Sequence, residues 1–247
     1  MWEALLVIAG LVVYFGVRVV VQDDGARALV NAASIFRFEK VLHLAWEIPL
    51  QQAVIDHMSL VRLFNWVYIW GHWPVLIASM FFLYFRRRDI YWRLRMSMII
   101  SGTIGLVIFL SFPVAPPRLA DVGISDTIAL YDSTYQEVGG RSQFTNQYAA
   151  MPSFHFGWNL LAGLCLASAV RRRFLRAILI GLPILMAFAI TATGNHFVVD
   201  AVAGGAIAVL GLVVARSVAT PPAGNRVPAR WLHRLTPTHE PAADRVS

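Results

Sequence analysis

Charge, lysine and cysteine are all scarce in this chain. Of its 247 residues 14% are charged and 57% are hydrophobic, a balance too apolar for an ordinary soluble domain. Lys40 is the only lysine, so nearly all the basic residues are arginine; this reads as a compositional bias rather than a site. The single cysteine, Cys165, sits in an apolar run, which excludes a disulfide framework and a CxxC-type metal site and leaves no basis for redox chemistry. The formal net charge of +7 does not indicate nucleic acid, because the basic residues cluster beside apolar runs instead of along one soluble face.

What the chain has in quantity is apolar runs of spanning length, at 2–20, 64–85, 96–113, 154–170, 174–192 and 197–216, each close to the roughly 20 residues that a membrane helix needs. The expected fold is therefore all-α, a polytopic bundle of six transmembrane helices with additional interfacial helices. The first run lacks a basic n-region and a small-residue cleavage site and reads as a retained span, a cleaved signal peptide being the alternative. Arg86, Arg87, Arg88, Arg93 and Arg95 follow the second run and Arg171, Arg172, Arg173 and Arg176 the fourth. Positive charge of this kind marks cytoplasmic loops. It puts both termini in the cytoplasm and the connections 22–63 and 112–153 outside, in a protein expected in the plasma membrane. Residues 1–219 form the expected membrane catalytic domain and 220–247, rich in Pro and Arg, a flexible cytoplasmic tail. Within 22–63, apolar and charged residues alternate and Pro49 interrupts the pattern, which predicts a pair of interfacial helices or, equally, a soluble cap on the outer loops.

Against this background three residues stand out. His196 and Asp200, in GNHFVVD, are four apart and share a helix face, so the carboxylate can orient the ring and free its other nitrogen for attack. His155, in MPSFH, falls at the start of the fourth span, and the topology brings it to the same depth as His196. Taken singly, HxxxD is also what a buried His–Asp hydrogen bond between helices looks like. Two imidazoles and a carboxylate at span ends point to chemistry on a phosphate, one histidine taking the phosphoryl group while the other serves the leaving group. Pro152 suits a first helical turn and Ser153 a cap, leaving backbone N–H groups to meet an anion beside His155. Asn65, Tyr68 and His72 recur at helical spacing in span two, as a polar stripe for substrate or for helix packing. Arg118 is the best-placed cation for a phosphate and Arg141 a weaker one. The substrate-binding set is thus Tyr68, His72, Arg118, Arg141 and Ser153, with Gly194 and Asn195 beside the nucleophile. Glu39 and Glu47 read as solvated faces.

PSFH resembles the second signature of the type 2 phosphatidic acid phosphatase superfamily, and GNHFVVD its third. The resemblance covers the region from Phe112 to Gly205 and implies His196 as phosphohistidine, Asp200 as its orienting carboxylate and His155 as general acid. It also implies six spans, an outward-facing site and metal-free, cofactor-free catalysis. The first signature, a lysine followed by Arg-Pro, is absent, and Ile190 stands where the third normally carries an arginine. The APP turn, MPSFH and TGNHxxxD together are similar to the inositol phosphorylceramide synthase branch, whose members transfer a phosphoryl headgroup between lipids. A phosphodiester donor needs fewer cations than a monoester.

The expected function is transfer of a phosphoryl headgroup from a lipid phosphodiester to a lipid hydroxyl. The same site with water as acceptor makes a lipid or polyprenyl phosphate phosphatase. Two further readings stay open: a facial triad of two histidines and a carboxylate for a divalent metal, and a non-enzymatic lipid-phosphate carrier or scaffold. Partners are phospholipid or lipid-linked phosphate substrates and the surrounding lipids.

Overall fold

The computed structural model describes residues 24–131 and 148–218, together with residue 16. The expected first span, apart from residue 16, and Arg141 and the expected tail from 220 onward lie outside the described residues. The described elements are α1 (Gly25–Val41), α2 (Glu47–Ile55), α3 (Met58–Trp70), α4 (Trp73–Arg86), α5 (Arg88–Ser111), a 3-10 turn (Pro117–Leu119), α6 (Thr127–Tyr131), α7 (Phe154–Ala169), α8 (Arg173–Ala192) and α9 (Val198–Val218). Among the described residues the one extended pairing is an isolated parallel bridge between Val114 and Ala149. The fold is an all-α membrane bundle.

Three of these helices, α5, α8 and α9, are long and apolar enough to cross a membrane, and α3 with α4 makes a fourth if the bent pair is counted as one span. The run at 64–85 is thus not one straight helix, as its hydropathy predicts, but two helices bent by 48°. The break has a local cause: Pro74 has no N–H to offer the carbonyl of Trp70, so the ladder stops there and restarts at Trp73 after His72. Helix α7 has only 16 residues. It is the central element, packed against α4, α5, α8 and α9, and a helix walled by protein can satisfy its ends without reaching both membrane surfaces.

The packing around α7 depends on missing side chains. A Cβ on Gly157 would lie 2.5 Å from the Gly204 carbonyl oxygen, and one on Gly204 would overlap the Ser153 carbonyl. Helices α7 and α9 therefore cross with their backbones touching, the arrangement that small residues permit in membranes. On the opposite side Gly163 faces Leu179 and Pro183 of α8, where a Cβ would come within 2.6 Å of the Leu179 oxygen.

The segment before α3 folds as two helices, α1 and α2. Pro49 does not break it: it sits in the first turn of α2, where its missing N–H is harmless, and the chain turns earlier, at 42–46. Both helices are tied to the loops at one end of the bundle. Asn31 Nδ2 donates to the Pro113 carbonyl at 2.8 Å and the Ala115 N–H to that of Ala28 at 3.1 Å. Gln51 donates to the carbonyls of Ala192 and Ser125 and accepts the Ser125 N–H at 2.7 Å. Leu29, Val30, Phe38, Val41 and Trp46 remain exposed.

Gly204→Ala should lower stability by about 1–3 kcal/mol, as overpacking of a close contact does. A melting curve in detergent unchanged from wild type would show that the α7–α9 crossing is looser than the backbone contact requires.

Candidate active site

The two histidines arrive from separate loops at the same end of the bundle. His196 precedes α9 and is buried, while His155 lies in the first turn of α7. Their ring centroids are 5.8 Å apart. The Val114–Ala149 bridge positions the strand-like approach to α7: the Val114 N–H donates to Tyr148 O at 2.9 Å and the Ala150 N–H to Val114 O at 3.0 Å. This leaves the Ala150 carbonyl facing His196, whose Nδ1 lies 2.9 Å from it. Asp200 Oδ2 is 3.4 Å from the same nitrogen. The shorter contact makes the carbonyl the principal acceptor of an Nδ1 proton, with Asp200 behind it. In that tautomer Nε2 carries the lone pair.

Asp200 is fully buried, and its Oδ2 also accepts the Phe197 N–H at 2.9 Å. Its backbone carbonyl accepts the Ser153 N–H at 2.9 Å, which joins the two motifs directly. Ser153 caps α7 by accepting the Phe156 N–H at 3.4 Å. Pro152 lies ahead of that cap and not in the first turn, so the helix begins at Phe154.

His155 is sandwiched. The Tyr68 ring stacks on it at 4.5 Å and the His72 ring approaches at 4.4 Å on centroids. Asn159, one turn into α7, contacts His72 Nδ1 at 3.1 Å and donates to the His155 carbonyl at 2.7 Å. Of the expected polar stripe, Tyr68 and His72 thus reach His155, while Asn65 turns to Thr127, donating to its carbonyl at 3.0 Å and accepting from its hydroxyl at 2.8 Å. The break at Gly71 and His72 is what swings His72 toward α7.

Arg118 comes from the 3-10 turn that follows the APP sequence. Its Nε donates to Asn195 Oδ1 and its Nη1 to Asp126 Oδ2, each at 3.0 Å, and its backbone N–H donates to Gly194 O at 2.9 Å. Gly194 has φ +72, and a Cβ there would meet Ile124 at 2.6 Å, so the turn before His196 requires glycine. Asn195 is held in turn by the Thr193 hydroxyl at 2.9 Å. Arg118 is therefore fixed to the loop that carries His196, with an acidic partner of its own.

The sequence profile of the PAP2 superfamily matches residues 33–214, well over half of the chain. The chain belongs to the PAP2 superfamily. Its fold resembles the crystal structure of Aquifex aeolicus LpxE, with a TM-score of 0.54 and 18% identity over 71% of this chain and 94% of that one. A search of curated protein sequences finds no significant match. Membership supports an enzyme of the lipid-phosphate phosphatase type.

In this PAP2 superfamily member two acidic residues lie where solvated faces were expected. Glu39 and Glu47 are fully buried. Glu47 Oε1 accepts the Val198 N–H and Glu39 Oε1 the Val199 N–H, both at 2.7 Å. With Asp200 on Phe197, three successive N–H groups at the start of α9 each meet a carboxylate, which is how a buried helix end satisfies its orphan donors. Burial pushes the Glu39 carboxyl up to about 9 from 4.5, with Glu47 and Asp200 adding to the rise, and burial raises Glu47 too. The local sequence carries no signal for this, because the donors are 151 and 160 residues away. The Ala150 carbonyl, 46 residues from His196, and the contact of Asn159 with His72, 87 residues away, were missed for the same reason. Among the described residues no group of three or more His, Cys, Asp and Glu is arranged to hold a metal ion.

With Arg118 as a phosphate ligand, Asp126→Asn should lower KM for an anionic lipid phosphate severalfold by freeing the guanidinium; an unchanged KM would argue against that role. Asn159→Leu strands a buried ring nitrogen of His72 and should cost about 1–3 kcal/mol, read as a lower melting temperature together with weaker turnover.

Proposed function

We propose that this protein cleaves a phosphate ester of a membrane lipid through a phosphohistidine at His196. In the first step His196 Nε2 attacks phosphorus while the bond from phosphorus to the leaving alcohol breaks, and protonated His155 gives its proton to the departing oxygen. In the second step an acceptor hydroxyl attacks phosphorus, the P–N bond breaks, and the acceptor's proton goes to His155. Asp200 and the Ala150 carbonyl hold the Nδ1 proton and offset the positive charge that the ring gains. The observation that carries this reading is the engagement of His196 Nδ1 by both acceptors, with the His155 ring 5.8 Å away.

Membership of the PAP2 superfamily supports water as the acceptor, which makes the enzyme a phosphatase of lipid or polyprenyl phosphates. A second reading is transfer of a phosphoryl headgroup from a lipid phosphodiester to a lipid hydroxyl, as in an inositol phosphotransferase. It is favoured by the charge at the site: Arg118 is bonded to the nucleophile's loop and Asp126 already offsets it, which suits a donor of lower charge than a phosphomonoester.

His196→Ala and Asp200→Asn should each reduce turnover by about a thousandfold or more in a folded protein. His155→Ala should do so with an alkyl alcohol as leaving group and much less with an activated phenol, since a good leaving group needs no acid. Labelled lipid donors, tested with and without added lipid alcohol, separate free phosphate from transferred headgroup. Recovery of full turnover in His196→Ala would remove the mechanism, and a trapped phosphohistidine would reject a non-enzymatic carrier.

A further inference from the structure

The Glu39 and Glu47 carboxyl groups come from different helices and converge on consecutive N–H groups of α9. They lie within hydrogen-bonding reach of each other. Each uses one oxygen on the backbone, and the second oxygens, Glu39 Oε2 and Glu47 Oε2, are buried and have no partner. Among the described residues neither carboxyl forms a salt bridge. Two adjacent carboxylates in a buried, uncompensated position repel each other strongly, and a single proton between them removes the repulsion while giving one oxygen a donor and the other an acceptor. The other titratable group facing the pair is Asp200, on α9 itself.

We infer that Glu39 and Glu47 act together as a positioning pair, sharing one proton and holding a single negative charge against the first turn of α9 behind His196. The charge faces the positive end of the helix dipole. The two bonds fix the amides of Val198 and Val199, and through them the backbone that presents His196 two residues earlier. The same charge favours an imidazole that becomes positive as it attacks phosphorus, so this role rests on the phosphohistidine reading, whereas the shared proton does not.

The test compares Glu39→Gln, Glu47→Gln and the double variant in the full-length protein in detergent. Infrared difference spectra should show the carbonyl band of a buried protonated carboxyl in wild type that each single variant loses, because a glutamine amide can take the place of the neutral acid and donate to the remaining carboxylate. For the same reason each single variant should keep kcat within about threefold, while the double variant, lacking the charge, should lose about tenfold or more in kcat with little change in KM. A protonated-carboxyl band that persists in both single variants would overturn the shared proton. A double variant with wild-type kcat, or single variants as impaired as the double, would overturn the positioning role. Should the double variant fail to fold, the spectra and rates of the single variants still decide. Failure of the phosphohistidine mechanism would appear separately, as turnover retained in His196→Ala with the infrared result unaltered.

Discussion

The start of α9 must be both buried and hydrogen-bonded, and much of the molecule is arranged around that requirement. A helix that begins inside a membrane protein exposes backbone donors that no water can serve, and each one left unmet is costly. Here Phe197, Val198 and Val199 find Asp200, Glu47 and Glu39. Two of these acceptors lie on helices near the beginning of the described chain, so α1 and α2 complete the hydrogen bonding of the loop that carries His196. Their remaining bonds, from Asn31 to the Pro113 carbonyl and from Gln51 to the carbonyls of Ala192 and Ser125, tie the same helices to the loops that carry Arg118 and close α8. The collar and the site are one hydrogen-bonded unit.

A second constraint acts along the α7–α9 crossing. Only because Gly157 and Gly204 bring no side chains to the contact can the Ser153 N–H reach the Asp200 carbonyl at 2.9 Å. That bond sets the height of His155 relative to His196. The Ala150 carbonyl, delivered by the short bridge to Val114, then fixes the tautomer of His196. Neither histidine is placed by its own helix alone: each is located by backbone groups contributed by the other's loop.

What the sequence disclosed about this arrangement follows from the range of each interaction. Ser153 as a cap and the four-residue spacing of His196 and Asp200 are local, and short motifs report them directly. The apolar runs likewise mark α5, α8 and α9. The run at 64–85 misleads because hydropathy is blind to a missing N–H: Val67, Ile69, Val75, Leu76 and Ile77 keep the window apolar while Pro74 interrupts the ladder. Glu39 and Glu47 misread for a deeper reason. An acidic residue in an amphipathic stretch is ordinarily solvated, and nothing in its neighbourhood announces a backbone donor contributed from the far end of the chain. Residues whose partner is a backbone amide far away in the chain leave no pattern to match.

The charges now in place also bear on what the site accepts. Arg118 brings one positive charge to the loop that carries His196, and Asp126 stands 3.0 Å from it. Asp200 and the Glu39–Glu47 pair add negative charge at the start of α9, next to His196. On the proposed transfer reading, a phosphodiester brings a single charge that Arg118 alone can balance, whereas a phosphomonoester approaching as a near-dianion meets this surplus. In the proposed mechanism the same surplus helps the step that follows, because an imidazole gaining positive charge is stabilised by the carboxylates that repel the incoming anion. In the proposed mechanism, a site that gives up ground-state attraction for phosphate and keeps stabilisation of the attacking ring would favour turnover over tight binding, which suits a substrate already concentrated in the surrounding membrane.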